Sequence, residues 1–207
     1  MRHQRSWRTH CDIWSRVGLG KAIFYISRMG MVRLFPRISV YIPERRIHRL
    51  DVNYGGSSGY GRQYIQRLAG NWGVVDVEDC INAAKSLASP PYSLIDPKRT
   101  VIRGGSAGGF TVLAALSIGS DLNAFAAGTS LYGISDLEKL AEFTHKFESH
   151  YLYKLVGGTI TEVPDVYIAR SPVHHAESIA SPLLVGFASF SVPFQKSSNG
   201  CADPVMI

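Results

Sequence analysis

The sequence predicts an α/β fold, a mostly parallel sheet covered by helices on both faces. Three observations carry that expectation. From Leu50 onward, short apolar runs alternate with stretches of helical periodicity. The run Gly104-Gly105-Ser106-Ala107-Gly108-Gly109 joins one such strand directly to one such helix. A length of 207 residues with 45% apolar content is enough for one domain with a buried core.

The elements follow in order. Leu50 to Tyr54 reads as a strand that ends in the glycine-rich turn Gly55 to Gly61. Val77, Ile81, Ala84 and Leu87 recur at helical spacing, with the acids Asp76, Glu78 and Asp79 at the positive end of that helix. Pro90-Pro91 stops it. Thr100 to Arg103 is the next strand, and Phe110 to Ile118 the helix after it. Phe125 to Tyr132 is a further strand. Ser135-x-x-Glu138 has the form of a capping box that opens a helix from Asp136. Lys146 to Leu155 reads as a helix that ends at Gly157-Gly158, and Pro182 to Val185 as the last core strand. Ala22 to Ile26 and Ile38 to Ile42 are apolar enough for strands, but nothing in the sequence places them in the sheet. The expected organisation is a basic segment over 1–49, a core over 50–185 and a divergent tail over 186–207.

Charge is unevenly distributed. Residues 1–50 carry eleven Lys or Arg against Asp12 and Glu44, a net +9, so the remaining residues hold −3 of the total +6. The first fifty residues follow no nucleic-acid-binding motif, and no nucleic-acid partner is expected. No apolar run reaches the roughly eighteen residues of a membrane span, and Met1 to Arg16 lacks the apolar stretch of a signal peptide, so no membrane role is expected. Cys11, Cys80 and Cys201 are odd in number and far apart, which predicts no disulfide framework and no metal site. A reducing, cytoplasmic compartment is the expected one. The Arg-rich, acid-poor start is also the pattern of a mitochondrial transit peptide, and that alternative stays open.

The chemistry is concentrated at Ser106. A serine in G-x-S-x-G between a strand and a helix sits on a sharp turn that pushes its hydroxyl out of the sheet. Small residues on either side let the backbone pass closely. The N–H of Ala107, at the helix start, is placed to meet a developing oxyanion. Ser106 is therefore the expected nucleophile and Ala107 the expected oxyanion donor. The glycine-rich turn 55–61 has neither G-K-[ST] nor a dinucleotide fingerprint, so no phosphate or nucleotide cofactor is expected. Tyr54, Tyr60 and Trp72 read as packing groups. His145, His150, His174 and His175 all precede the Leu183 strand and read as surface or core residues. Asp136 reads as a helix-start residue.

Several longer motifs are more specific than the elbow. They are Asp51-Val52-Asn53-Tyr54-Gly55-Gly56-Ser57-Ser58-Gly59-Tyr60-Gly61-Arg62, Asn71-Trp72-Gly73, Asp76-Val77-Glu78-Asp79 and Asp96-Pro97-Lys98-Arg99. Thr144-His145-Lys146-Phe147-Glu148-Ser149 and Arg170-Ser171-Pro172 continue the series. With these motifs, residues from Asp51 to about Leu184 resemble the catalytic domain of the prolyl oligopeptidase family, near its acylaminoacyl-peptidase and dipeptidyl-peptidase-like members. The resemblance implies an α/β-hydrolase fold and serine-type hydrolysis of peptide or amide bonds by Ser106, on a peptide substrate and without a cofactor.

The chain also departs from that family's pattern. The family carries H-G-G-P upstream of the N-Y-G-G strand, and no such tetrapeptide occurs here. Ser27-Arg28-Met29-Gly30 resembles the S-R-G before that strand. In the stretch Gly186 to Pro193, Ser189 holds the position where the family has its acid, and no histidine follows His175. A sheet incomplete at both ends is therefore expected, with self-association through an exposed edge as its consequence. Two functions stay open: a serine peptidase, or a catalytically incomplete α/β-hydrolase scaffold that binds peptides or partner proteins.

Overall fold

The computed structural model describes residues 20–26, 47–143 and 146–186. Five strands form one sheet: β1 (Gly20–Ile26), β2 (Ile47–Asp51), β3 (Ile95–Gly105), β4 (Ala127–Leu131) and β5 (Leu183–Gly186). Their order is β2-β1-β3-β4-β5, and every pairing is parallel. All strand C-termini therefore meet along one edge of the sheet, the edge where ligands bind in open α/β sheets.

β1 is the principal correction to the sequence reading. The apolar run that nothing placed lies inside the sheet, between β2 and β3. Ile23 pairs with Arg49 on one side and Val101 on the other. The strand read at Leu50 to Tyr54 starts earlier, at Ile47, and its ladder stops at Asp51. Val52 and Tyr54 leave the ladder but stay buried, so the apolar pattern there reflects packing rather than pairing. The run Ile38 to Ile42 lies outside the described residues.

β3 has an offset within it. Gly20 pairs with Ile95, but Ala22 already pairs with Thr100, so residues 96–99 loop out of register. Asp96 organises that loop, accepting from the backbone of Lys98 at 3.0 Å and from Arg99 Nε at 2.8 Å. The regular ladder starts at Thr100, where the apolar alternation of the sequence starts.

The helices are α1 (Arg62–Gln66), α2 (Val75–Ala88), α3 (Ala107–Ser117), α4 (Leu137–Phe143), α5 (Lys146–Val156) and α6 (Pro164–Arg170), followed by a 3-10 helix, Pro172–Ser178. α3 packs on β3, β4 and β1, with α2 against it on one side and the 3-10 helix on another. Every residue from Gly108 to Ser117 is buried. A helix apolar all round belongs in the centre of a fold, and its sequence, AGGFTVLAALS, fits that place. Ile81, Ile102, Phe125 and Tyr167 are fully buried around it, the first three each worth about 1.5–3 kcal/mol of burial.

The cap of α4 differs from the expected one. Asp136, not Ser135, caps it: its Oδ1 accepts from the N–H groups of Glu138 and Lys139, both at 3.0 Å. Asp136 is thus a helix-start residue through its own carboxylate. Ser171, buried, locks α4 to α6. Its hydroxyl donates to Tyr167 O at 2.7 Å and accepts from Leu137 N at 2.9 Å.

Candidate active site

β3 ends at Gly105 and α3 begins at Ala107, so one residue makes the turn. That residue is Ser106, with φ 54° and ψ −121°, a left-handed backbone that a side chain adopts only under constraint. The constraint comes from both sides. Ser106 N–H donates to Leu131 O at 2.9 Å, and Phe110 N–H donates to Ser106 O at 3.0 Å. A Cβ on Gly104 would run into the carbonyl of Gly108, so only glycine lets the strand pass the helix start. The Ser106 hydroxyl makes no capping bond to the helix it opens. It is half-buried and not consumed by local structure. The N–H of Ala107 is among the first four of α3, which have no acceptor within the helix. The elbow geometry expected for Ser106 and Ala107 is therefore present, with both at the C-terminal edge of the sheet.

Beneath the elbow lies a buried polar network that the sequence reading missed. Asp76, in the first turn of α2, has no exposed surface. Its Oδ1 accepts from Gly73 N–H at 2.7 Å, and its Oδ2 accepts from the Thr111 hydroxyl at 2.6 Å. Thr111 Oγ1 also lies 3.2 Å from Ala107 O, one turn earlier in α3. Asp76 thus ties the Asn71-Trp72-Gly73 turn to the helix that Ser106 opens. Burial pushes its carboxyl up to about 6, against the lowering effect of the Thr111 and backbone hydrogen bonds. Trp72 packs on Phe110 of α3 with ring centroids 4.4 Å apart. Arg170 Nη1 closes the far side, donating to Gly70 O at 3.0 Å and Trp72 O at 3.2 Å. The motifs N-W-G, D-V-E-D and R-S-P are therefore parts of one support under α3.

The other residues singled out in the sequence fall as follows. Gly55 N–H donates to Asp79 Oδ2 at 2.7 Å. A carboxylate holds that glycine-rich turn, where a phosphate cradle would need the N–H free. Tyr54 and Trp72 are buried packing groups, as expected, whereas Tyr60 is 52% exposed, its ring against that of Tyr64 with centroids 5.1 Å apart. Cys80 is free and buried. Burial, helped by the charges of Asp76 and Asp79, pushes its thiol well up and leaves it inert. His174 and His175 lie on the 3-10 helix before β5. His174 Nε2 sits 3.5 Å from Glu138 Oε2, and His175 Nε2 is buried with no hydrogen-bond partner among the described residues. Thr144, His145 and Ser189 lie outside the described residues. Among the described residues, no three His, Cys, Asp or Glu side chains gather as a metal site. No helix among them is long and apolar enough to cross a membrane.

Comparison with known proteins agrees with this fold. A model described as the prolyl oligopeptidase family matches residues 40–198. Acylamino-acid-releasing enzyme of Arabidopsis thaliana is 30% identical over 181 residues, which cover 80% of this chain and 22% of that protein. Dipeptidyl aminopeptidase BIII of Pseudoxanthomonas mexicana is 30% identical over 141 residues, 66% of this chain and 20% of its own. Among solved structures, a puromycin-hydrolyzing peptidase of Mycobacterium tuberculosis superimposes with a TM-score of 0.73 at 45% identity, over 83% of this chain and 26% of that one. The chain thus spans about a fifth of the curated relatives it matches.

Proposed function

We propose a serine-type hydrolytic role for this chain, which belongs to the prolyl oligopeptidase family and has that family's α/β-hydrolase fold. Ser106 is the nucleophile, and the bonds cleaved are peptide or related amide bonds, in short peptides. The observation that carries the reading is the backbone of Ser106: φ 54° at a one-residue junction of β3 and α3, with its hydroxyl unspent. In this mechanism Ser106 Oγ attacks the scissile carbonyl carbon while a general base takes the hydroxyl proton. The carbonyl oxygen becomes an oxyanion facing Ala107 N–H. Collapse of the tetrahedral intermediate expels the amine, which receives the proton, and water then releases the acyl group by the same route. In α/β-hydrolases the acid and the histidine follow the serine along the chain.

The test is covalent. A fluorophosphonate probe at near-neutral pH is expected to label Ser106, and Ser106→Ala to reduce labelling to background in intact-mass and peptide mapping. Failure of the wild-type chain to label would sink the hydrolase reading.

A second reading has one specific observation behind it: Ser189 stands at the family's acid position. That favours a scaffold that keeps the fold and binds peptides or partner proteins without cleaving them. Self-association is supported by β5, whose Leu184 and Val185 are 65% and 41% exposed. Sedimentation velocity is expected to show a concentration-dependent increase in mass; a monomer throughout would reject it. A reducing, cytoplasmic location is favoured by the free, buried thiol of Cys80.

A further inference from the structure

Of the three non-glycine residues with positive φ among the described residues, two end neighbouring strands. Ser106 follows β3 at φ 54°, and Tyr132 follows β4 at φ 42°. The elbow accounts for the first. No part of the elbow requires the second. A bulky aromatic in the left-handed region is costly, and it persists only where its surroundings hold it there.

Those surroundings are on both neighbouring strands. Tyr132 N–H donates to Gly186 O at 2.6 Å, at the end of β5. The preceding residue, Leu131, accepts the N–H of Ser106 itself. The twist folds the Tyr132 ring back over β3. A Cβ on Gly105 would lie 2.9 Å from the phenol oxygen and 3.0 Å from Cζ, so the far end of the ring lies over Gly105, the residue next to Ser106. The ring is nevertheless no core group, because Tyr132 is 52% exposed. The backbone of Tyr132 and its side-chain-free neighbour Gly105 together place an open aromatic ring beside Ser106.

We propose that Tyr132 is a specificity-determining platform: its ring packs against an aromatic side chain of the peptide residue adjoining the bond presented to Ser106. This rests on the reading of Ser106 as the catalytic serine. A tyrosine ring held in advance has little freedom to lose on binding, and paired aromatic rings gain beyond the area they bury. The preference for an aromatic over a small side chain is roughly threefold to tenfold.

Equilibrium binding tests it without requiring turnover. N-acetyl-phenylalaninamide and N-acetyl-alaninamide are titrated into the full chain by ligand-observed NMR, with thermal midpoints recorded alongside. The wild type and Tyr132→Phe are expected to prefer the phenylalanine probe by that factor. Tyr132→Gly, which relieves the left-handed strain, is expected to keep a cooperative transition and bind both probes alike. Tyr132→Asn, also tolerant of this backbone, serves as a second variant. A wild type without the preference, a glycine or asparagine variant that keeps it, or unfolding of both variants overturns the proposal. Fluorophosphonate labelling separates it from the parent reading. An unlabelled Ser106 with the aromatic preference intact rejects the hydrolase alone, and a labelled Ser106 without the preference rejects Tyr132 alone.

Discussion

Asp76→Ala is expected to lower folding stability by about 2–4 kcal/mol, read as a fall in the urea midpoint at neutral pH. The substitution leaves the buried Gly73 N–H without its acceptor and frees the Thr111 hydroxyl to its weaker contact with Ala107 O at 3.2 Å. Asp76→Asn separates shape from charge. Its carbonyl can still accept from Gly73, and its amide can donate to Thr111 Oγ1, whose proton then turns to Ala107 O. The difference appears with pH. The Asp76 carboxyl titrates at 3.8 without the fold and at about 6 within it. The folded chain therefore holds this proton more tightly than the unfolded chain. Stability from this site is fully present below about pH 4 and is lost as pH rises through about 6. Two units at about 1.4 kcal/mol each make roughly 3 kcal/mol. Asp96, Asp121 and Glu162 shift the opposite way, but wild type and variant share them, so the difference curve isolates Asp76. Parallel wild-type and Asp76→Asn curves between pH 4 and 7 would refute the assignment.

The contrast between Ser106 and Asp76 shows what was legible in the sequence. The elbow could be read because its geometry depends on neighbours within three residues: strand before, helix after, small side chains around. Asp76 sits in the first turn of a helix, where an acid is ordinarily explained by the helix dipole. Its actual partner, Thr111, is 35 residues away in sequence and joins it only when α2 packs on α3. Tyr132 was likewise invisible, because its backbone is set by Gly186, a long-range partner. β1 differs in another way. Its apolar run is legible as a strand, but its place is not, because only pairing with both β2 and β3 sets it inside the sheet. α6 and the 3-10 helix did have a local signal: Pro164 and Pro172 each stand in a first helical turn, with Asp165 near the start of α6 and Arg170 at its end.

Gly104→Ala is expected to be as damaging as loss of Asp76, by a different route, and to reach the site directly. Gly104 has an ordinary strand backbone, so alanine brings no conformational strain of its own; the whole cost is space. The new methyl meets the Gly108 carbonyl and lies 3.0 Å from Gly108 Cα, all backbone, which cannot rotate aside as a side chain would. Either β3 or the first turn of α3 must move. That costs about 3 kcal/mol or more, roughly 6–12 °C in thermal midpoint for a chain of this size. Gly70→Ala is the matched control. Gly70 has φ +69°, so alanine there is strained, but its Cβ meets nothing nearer than Gly157 Cα at 3.8 Å. Its cost is about 1–2 kcal/mol, with no displacement of α3. Differential scanning fluorimetry with fluorophosphonate labelling distinguishes the two. Gly70→Ala should melt somewhat earlier and label like the wild type. Gly104→Ala should melt much earlier and lose labelling even below its transition, because moving the first turn of α3 takes the Ala107 N–H away from the Ser106 hydroxyl. Equal labelling in both variants would mean that the close strand–helix passage at Gly104 serves the fold and not the positioning of Ser106.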